Sequence, residues 1–296
     1  MSPAPSVDGR TILITGATDG LGKRVARDLA AAGATVLLHG RDPRKGEGVL
    51  DEIREASGSE RLRYYNADLS SLTAVRGLAA RLREDHHRLD VLVHNAGIGT
   101  GNGRGERETS ADGHELRLAV NYLAPLLLTD LLLPLLRRSA PARIVSVASA
   151  GQQAIDFRDV QLERHYDGLR AYRQSKLALV MLTFDLAAEL EGSGVTANCL
   201  HPASLMDTKM VRDTDRFGAP RSSVAEGAHA VEHLIASPEL DAVSGEYFDG
   251  TEPAPAEPQA YDRAARTRLR ELARRWVGLD GRHRIDPTSP RPAQRT

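Results

Sequence analysis

Residues 10–32 read RTILITGATDGLGKRVARDLAAA. An apolar run over 10–15 ends in a turn carrying Gly16, Gly20 and Gly22. From Gly20 to Ala32 the apolar positions Leu21, Val25 and Leu29 recur with helical spacing. Strand, glycine turn and helix follow one another. Glycine lets the chain close such a turn and lets backbone amides and the helix N-terminus approach a pyrophosphate. A plain structural turn would use the same residues, so the decision falls to what comes next in the chain.

The pattern repeats. Thr35–His39 reads as strand, 43–57 as helix, Leu62–Asn66 as strand, 71–84 as helix and Val91–Asn95 as strand. A glycine-rich loop over 97–105 leads to a long helix near 110–137, a strand at 143–147, a helix at 169–191 and a strand at 195–200. A helix at 223–236 and a short strand at 245–248 follow. Alternating β and α elements predict a doubly wound α/β fold with about seven parallel strands and helices on both faces. The strands VLVHN and RIVSV are near-continuous apolar runs, as strands buried on both faces should be. The glycine turn is then the first βα turn of such a sheet, where a dinucleotide binds. The expected organisation is a flexible stretch over 1–9, one domain over 10–251, and a Pro-rich linker, helix and flexible tail over 252–296. Two connections, 149–168 and 202–222, are long and follow strand ends, which makes them the candidate substrate pocket. Their lipophilic residues are Phe157, Leu205, Met206, Met210, Val211 and Phe217.

The chain has 296 residues, 39 of them Lys or Arg and 40 Asp or Glu, for a net charge of −1. A nucleic-acid binder would carry a basic excess, so that class loses ground. Cys199 is the only cysteine, which leaves no disulfide and no thiolate cluster. No metal site is expected, since the histidines lack ligand spacing. The N-terminus lacks the basic start and apolar core of a secretion signal, and a cytoplasmic location is expected. Leu116–Leu136 is long enough for a membrane span, but Arg117, Asn121, Asp130 and two prolines favour a buried helix.

The residues TGxxxGxG, Asp68 in ADLSS, the Asn95-Ala96-Gly97 triplet, Asn121, Ser149 and Tyr172-xxx-Lys176 stand in the order of the short-chain dehydrogenase/reductase family, which the chain resembles over roughly residues 10–250. HGRDPRKG, NYLAPLLLTDLLLPLL, RIVSVAS and AYRQSKLA look like the retinol-dehydrogenase-like branch rather than the bacterial ketoacyl-reductase branch. The resemblance implies a single-domain Rossmann-type fold and a nicotinamide cofactor. It assigns to that cofactor the turn residues Gly16, Thr18, Asp19, Gly20, Leu21 and Gly22, then Arg41, Asp68 and Leu69. Asn95, Ala96, Gly97, Tyr172, Lys176, Pro202 and Thr208 complete the cofactor set. Asp68 would meet the adenine amino group, with a helix N-cap as its alternative role. Thr208 would hold the nicotinamide carboxamide. Pro202-Ala203 stands where the family has Pro-Gly, a departure that bears on the loop's backbone.

An acidic residue at the end of the second strand would bind the ribose 2′-hydroxyl, whereas arginine would pair with a 2′-phosphate. Gly40 occupies the acid position and Arg41 follows, so NADP(H) is expected over NAD(H), although Asp19 and Asp42 count against it. Tyr172 and Lys176 share a helix face one turn apart, and a cation beside a phenol lowers its pKa. Tyr172 is therefore the candidate proton donor or acceptor. Ser149 is preferred over the strand residue Ser146 as its partner, and by resemblance Asn121 joins a relay with the lysine. The expected activity is hydride transfer between the nicotinamide and a carbonyl or secondary alcohol of a lipophilic small molecule. The alternatives are a non-redox cyclase, dehydratase or epimerase on the same scaffold, and a cofactor-sensing protein. The apolar surplus of helices 110–137 and 169–191 predicts a homodimer or homotetramer, unless the Arg-rich C-terminal helix covers it.

Overall fold

The computed structural model describes residues 7–101, 106–212 and 219–279. The glycine loop's residues 102–105, Phe217, residues 1–6 of the expected N-terminal stretch 1–9, and residues 280–296 of the expected C-terminal segment 252–296 lie outside the described residues. Val7 already belongs to the core, 2% exposed, with its carbonyl accepting from Arg10.

The strands are β1 (Thr11–Ile14), β2 (Thr35–Gly40), β3 (Leu62–Asn66), β4 (Val91–His94), β5 (Ala142–Val147), β6 (Val195–His201), β7 (Tyr247–Asp249) and β8 (Glu252–Pro253). They form one sheet in the order β3-β2-β1-β4-β5-β6-β7-β8. The seven parallel strands match the expectation. An eighth, β8, pairs antiparallel with β7, so the start of the expected linker is a sheet edge. Every residue of β1, β4 and β5 is buried, as their near-continuous apolar sequence leads one to expect.

Helices cover both faces: α1 (Gly20–Ala31), α2 (Pro43–Ser57), α3 (Leu72–Asp85), α4 (Leu116–Arg138), α5 (Gly168–Glu189), the single turn α6 (Lys209–Arg212), α7 (Val224–Ala236) and α8 (Arg263–Trp276). Alternate strand residues face opposite layers. Ile12, Ile14, Val36 and Leu38 pack under α1, α2 and α7, whereas Leu13, Leu37 and Leu92 pack under α3, α4 and α5. Helix α4 is long and apolar enough to cross a membrane, and here its residues lie mostly within the core. Its first turns are not regular: Ala119–Leu123 form a π-helical turn that carries Asn121.

The C-terminal helix α8 lies across α4 and α5. Ala265, Leu269 and Ala273 are buried, with Val277 and Leu279 just beyond them. Arg266 pairs with Asp185, Arg270 with Glu189 and Arg274 with Asp130. The three arginines recur at four-residue spacing, so one stripe of α8 answers acids on α4 and α5. This helix packs on the apolar flank behind the expected homodimer.

Candidate active site

The sheet order reverses between β1 and β4, because the chain first builds outward through β2 and β3 and then returns to the other side of β1. The loops leaving these two strands diverge and open a crevice at their C-terminal ends. Thr15 and Asn95 join the two loops. Thr15 Oγ1 accepts from the backbone of Asn95 and Ala96, at 3.0 Å each. Asn95 Nδ2 donates to the carbonyls of Thr15 and Gly16 at 2.8 and 3.1 Å. Asn95 thus braces the glycine turn.

The turn is closed too tightly for side chains. A Cβ on Gly16 would stand 2.8 Å from Ala96 Cα, and one on Gly22 would stand 2.3 Å from both Asn95 Nδ2 and the Gly16 carbonyl oxygen. Gly16 and Gly20 also have φ of +68° and +46°, where glycine is favoured. A Cβ on Gly20 would meet Thr208 Cγ2 at 3.2 Å, which places Thr208 over the N-terminus of α1. This backbone-lined cradle at a helix N-terminus fits a cofactor pyrophosphate.

Outward along the crevice, Asp19 caps α1 through Gly20 N and pairs with Lys45 Nζ at 2.5 Å. The Lys45 ammonium holds the Asp19 carboxyl below its usual range. Arg41 is exposed, and Asp42 is occupied as the cap of α2, accepting from Arg44 and Lys45. A Cβ on Gly40 would come within 2.6 Å of Thr18 Cγ2, so Thr18 fills the place where an acidic side chain would begin. Asp68 is exposed and accepts from Ser70 N at 2.9 Å. The helix-cap alternative goes instead to Ser71, whose hydroxyl accepts from Ala74 N. Leu69 is buried in the core beside it.

At the other end of the crevice, Ser149 follows β5, Tyr172 and Lys176 project from α5, and Asn121 projects from the π turn of α4. Ser149 lies beside Tyr172: a Cβ on Gly151 would meet Ser149 Oγ at 3.4 Å and the Tyr172 ring at 3.9 Å. Lys176 is 4% exposed, and its ammonium donates to the Val147 carbonyl at 2.9 Å and lies 5.9 Å from the Tyr172 ring centre. Asn121 Oδ1 accepts from Ile98 N at 2.9 Å, and Nδ2 donates to Ile98 O and to Ser175 Oγ. Gly97 connects the group: a Cβ there would be 3.3 Å from both Asn121 Oδ1 and Lys176 Nζ. All four candidate catalytic residues therefore meet at one strand edge, beside the glycine cradle. Ser146, the competitor, bonds to Thr183 inside the core.

The electrostatics correct one expectation. Burial pushes the Tyr172 phenol up, and the neighbouring Ser149 hydroxyl opposes this. Burial also brings Lys176 down to about 8. Both groups are desolvated and the ammonium is spent on a carbonyl, so the expected lowering of the phenol by the lysine is not found.

Among the lipophilic candidates, Met210 is exposed and packs toward Gly99. Met206 lies against Leu21 and Gly227 in the opposite layer, and Phe157 lies beneath the Arg268 guanidinium, 4.7 Å from its ring centre. Pro202 is buried where β6 ends. The left-handed residue of the following loop is Leu205, with φ +50°, rather than Ala203. Sequence reading missed how the C-terminal segment holds the loop after Ser149. Gln259 brackets Ile155 through its N and O, and Gln152 accepts from Glu257 N while donating to Ser149 O. The glutamines at both ends of these contacts were the available signal.

A glycine cradle, a Tyr-Lys pair on one helix face and a serine at the adjoining strand edge define a short-chain dehydrogenase. Residues 10–217 match the short chain dehydrogenase family, and the chain belongs to it, in the retinol-dehydrogenase-like branch. It is 37% identical to human retinol dehydrogenase 13 over 291 residues, 93% of this chain and 86% of that protein. Among solved structures, a protein from Mycobacterium paratuberculosis is 29% identical with a TM-score of 0.76, covering 94% of this chain and 96% of the other. A short chain dehydrogenase from Shigella flexneri complexed with NADP is 28% identical with a TM-score of 0.69, covering 83% and 99%. The chain is an oxidoreductase of this family, which uses a nicotinamide cofactor.

Proposed function

We propose that the protein is an NADP(H)-preferring carbonyl reductase or alcohol dehydrogenase acting on a lipophilic small molecule. The observation that carries the reading is the convergence of Asn121, Ser149, Tyr172 and Lys176 on one buried edge beside the glycine cradle. When bound, the nicotinamide supplies or accepts the hydride. Ser149 and Tyr172 hydroxyls hold the substrate oxygen, and Tyr172 delivers the proton to it in reduction or removes it in oxidation. The raised phenol stays protonated at neutral pH, which suits the donor role. Lys176 places a cation near the oxygen where charge develops, and Asn121 fixes the backbone of Ile98, next to Gly97.

The NADP(H) preference is supported by three features at the end of β2. Thr18 excludes an acid at position 40, Asp42 is engaged as a helix cap, and Lys45 neutralises Asp19, which leaves Arg41 exposed for a phosphate. The NADP in the Shigella flexneri relative agrees with this reading. A lipophilic substrate is supported by Met210 over the Gly99 loop and by the retinol named in the human relative.

Tyr172→Phe tests the mechanism, since it removes the hydroxyl and keeps the ring. NADPH consumption with a panel of ketones should fall by ~10² to 10⁴-fold while NADPH binding is little changed. Near-normal turnover would assign the proton to another group. Product formation by the unmodified protein without loss of NADPH would point to a non-redox reaction.

A further inference from the structure

Strand β2 reads TVLLHG, and His39, its one polar residue beyond the opening Thr35, is 2% exposed. Three bonds converge on it. Its backbone carbonyl accepts from Ala17 N at 2.8 Å. Its ring Nδ1 faces Gly16 N at 3.2 Å, and its ring Nε2 faces the Ala67 carbonyl at 3.1 Å. An amide N–H can only donate and a carbonyl can only accept. The two partners therefore dictate one form of the ring, with Nδ1 bare and the proton on Nε2.

That form spans two loops that sequence alone places far apart. On one side is the glycine turn after β1, where Gly16 has a positive φ and no room for a Cβ against Ala96. On the other is the turn after β3, where Ala67 leads into Asp68 and Leu69. Ala67 N also bonds to the Gly40 carbonyl, so both ends of the bridge are anchored on β2. Turning Gly16 N–H inward onto the imidazole sets the orientation of the 15–16 peptide and thereby the shape of the cradle. Burial brings the ring down to about 4, with the Asp68 carboxylate opposing and the Arg81 guanidinium reinforcing the shift, so it is neutral at pH 7. A charged ring would point N–H against N–H at Gly16.

We propose that His39 is a positioning residue for cofactor binding, a neutral imidazole that locks the glycine turn to the turn after β3. It touches no reacting atom in this arrangement, so its effect falls on cofactor affinity and not on the proton transfer carried by Tyr172. The proposal rests on the glycine turn receiving the nicotinamide cofactor, and its tests separate the two.

The first test needs no cofactor. Nitrogen NMR of the ligand-free protein with labelled histidine should show the His39 ring neutral and protonated at Nε2 from about pH 6 to 8. A ring protonated at Nδ1, or charged in that range, overturns the proposal.

The second uses three variants and NADPH binding followed by fluorescence. His39→Leu removes both ring bonds, His39→Gln keeps a donor near the Nε2 position, and His39→Asn keeps an acceptor near Nδ1. NADPH should bind about five- to tenfold more weakly to the Leu and Gln variants and within about twofold of the parent for Asn, with kcat at saturating NADPH nearly constant. A folded Leu variant with parental NADPH affinity, or one whose loss lies in kcat alone, refutes it. If His39→Leu fails to fold, the Asn and Gln pair and the NMR result decide. Failure of the unmodified protein to bind either NADPH or NADH would instead overturn the cofactor reading, while the ring's protonation would still be measured.

Discussion

Glu232→Gln should make the protein more stable at pH 8 and leave it unchanged near pH 4.5. Glu232 lies on α7 facing α1, and its Oε1 is buried with no hydrogen-bond partner among the described residues. Burial, with the Asp28 carboxylate adding to it, pushes the carboxyl up to about 7, and Arg24 opposes the shift only weakly because it is paired with Asp28. The folded state thus holds a proton that the unfolded chain gives up near 4.5. Between those two values the native state binds more protons, so stability falls as pH rises and levels off above about 7. The full shift corresponds to no more than ~3.5 kcal/mol at ~1.4 kcal/mol per pKa unit. Glu232 retains some solvent contact, which reduces the figure to ~1–2 kcal/mol. Glutamine keeps the shape and never ionises. Urea unfolding of both proteins at several pH values should show curves that coincide near pH 4.5 and separate by that amount at pH 8. A difference independent of pH, or a variant less stable at pH 8, would refute the assignment of Glu232 as a neutral buried acid.

Arg41→Ala should weaken NADPH far more than NADH, by about tenfold or more for loss of a charge-assisted phosphate contact, and equal losses would remove the argument for the 2′-phosphate. Ser149→Ala should abolish most turnover whereas Ser146→Ala should retain it and show only a modest drop in melting temperature, since Ser146 bonds to Thr183 in the core; the reverse result would reassign the catalytic serine. Leu269→Ala should cost ~2–4 kcal/mol in denaturant unfolding because Leu269, on the inner face of α8, is fully buried. A chain ending at residue 251 should form larger particles by light scattering than the full chain, and identical particle sizes would mean that α8 covers nothing adhesive.

The sheet was legible because its central strands β1, β4 and β5 are buried on both faces and so appear as near-continuous apolar runs between helical periods. The site was legible for a related reason: chemistry at a sheet edge uses residues at strand ends, and Gly16, Gly97 and Ser149 all sit just past one. What stayed hidden depends on partners distant in sequence. The π turn around Asn121 adds one residue to a helical turn, a change that a 3.6-residue period averages away. His39 closes an apolar strand and looks like any polar strand end until Gly16 and Ala67 are seen on either side of it. Lys45 and Asp19 are 26 residues apart, and their pairing needs the packing of α1 against α2. The departure at Ala203 was visible, but the strained backbone it suggested sits two residues later at Leu205.

The grip of Gln259 and Glu257 on the loop after Ser149 sets a schedule for the newborn enzyme. These residues, with α8 behind them, follow in the chain everything they hold. During synthesis at about 5–20 residues per second, the Rossmann sheet can assemble before they emerge. Through that interval the cradle and the Tyr-Lys pair can form while the serine loop has no outer support and the flank of α4 and α5 faces solvent. Ripening and shielding then arrive together with one short piece of chain. A product lacking this piece would have neither the outer support of the serine loop nor the cover that α8 lays over α4 and α5.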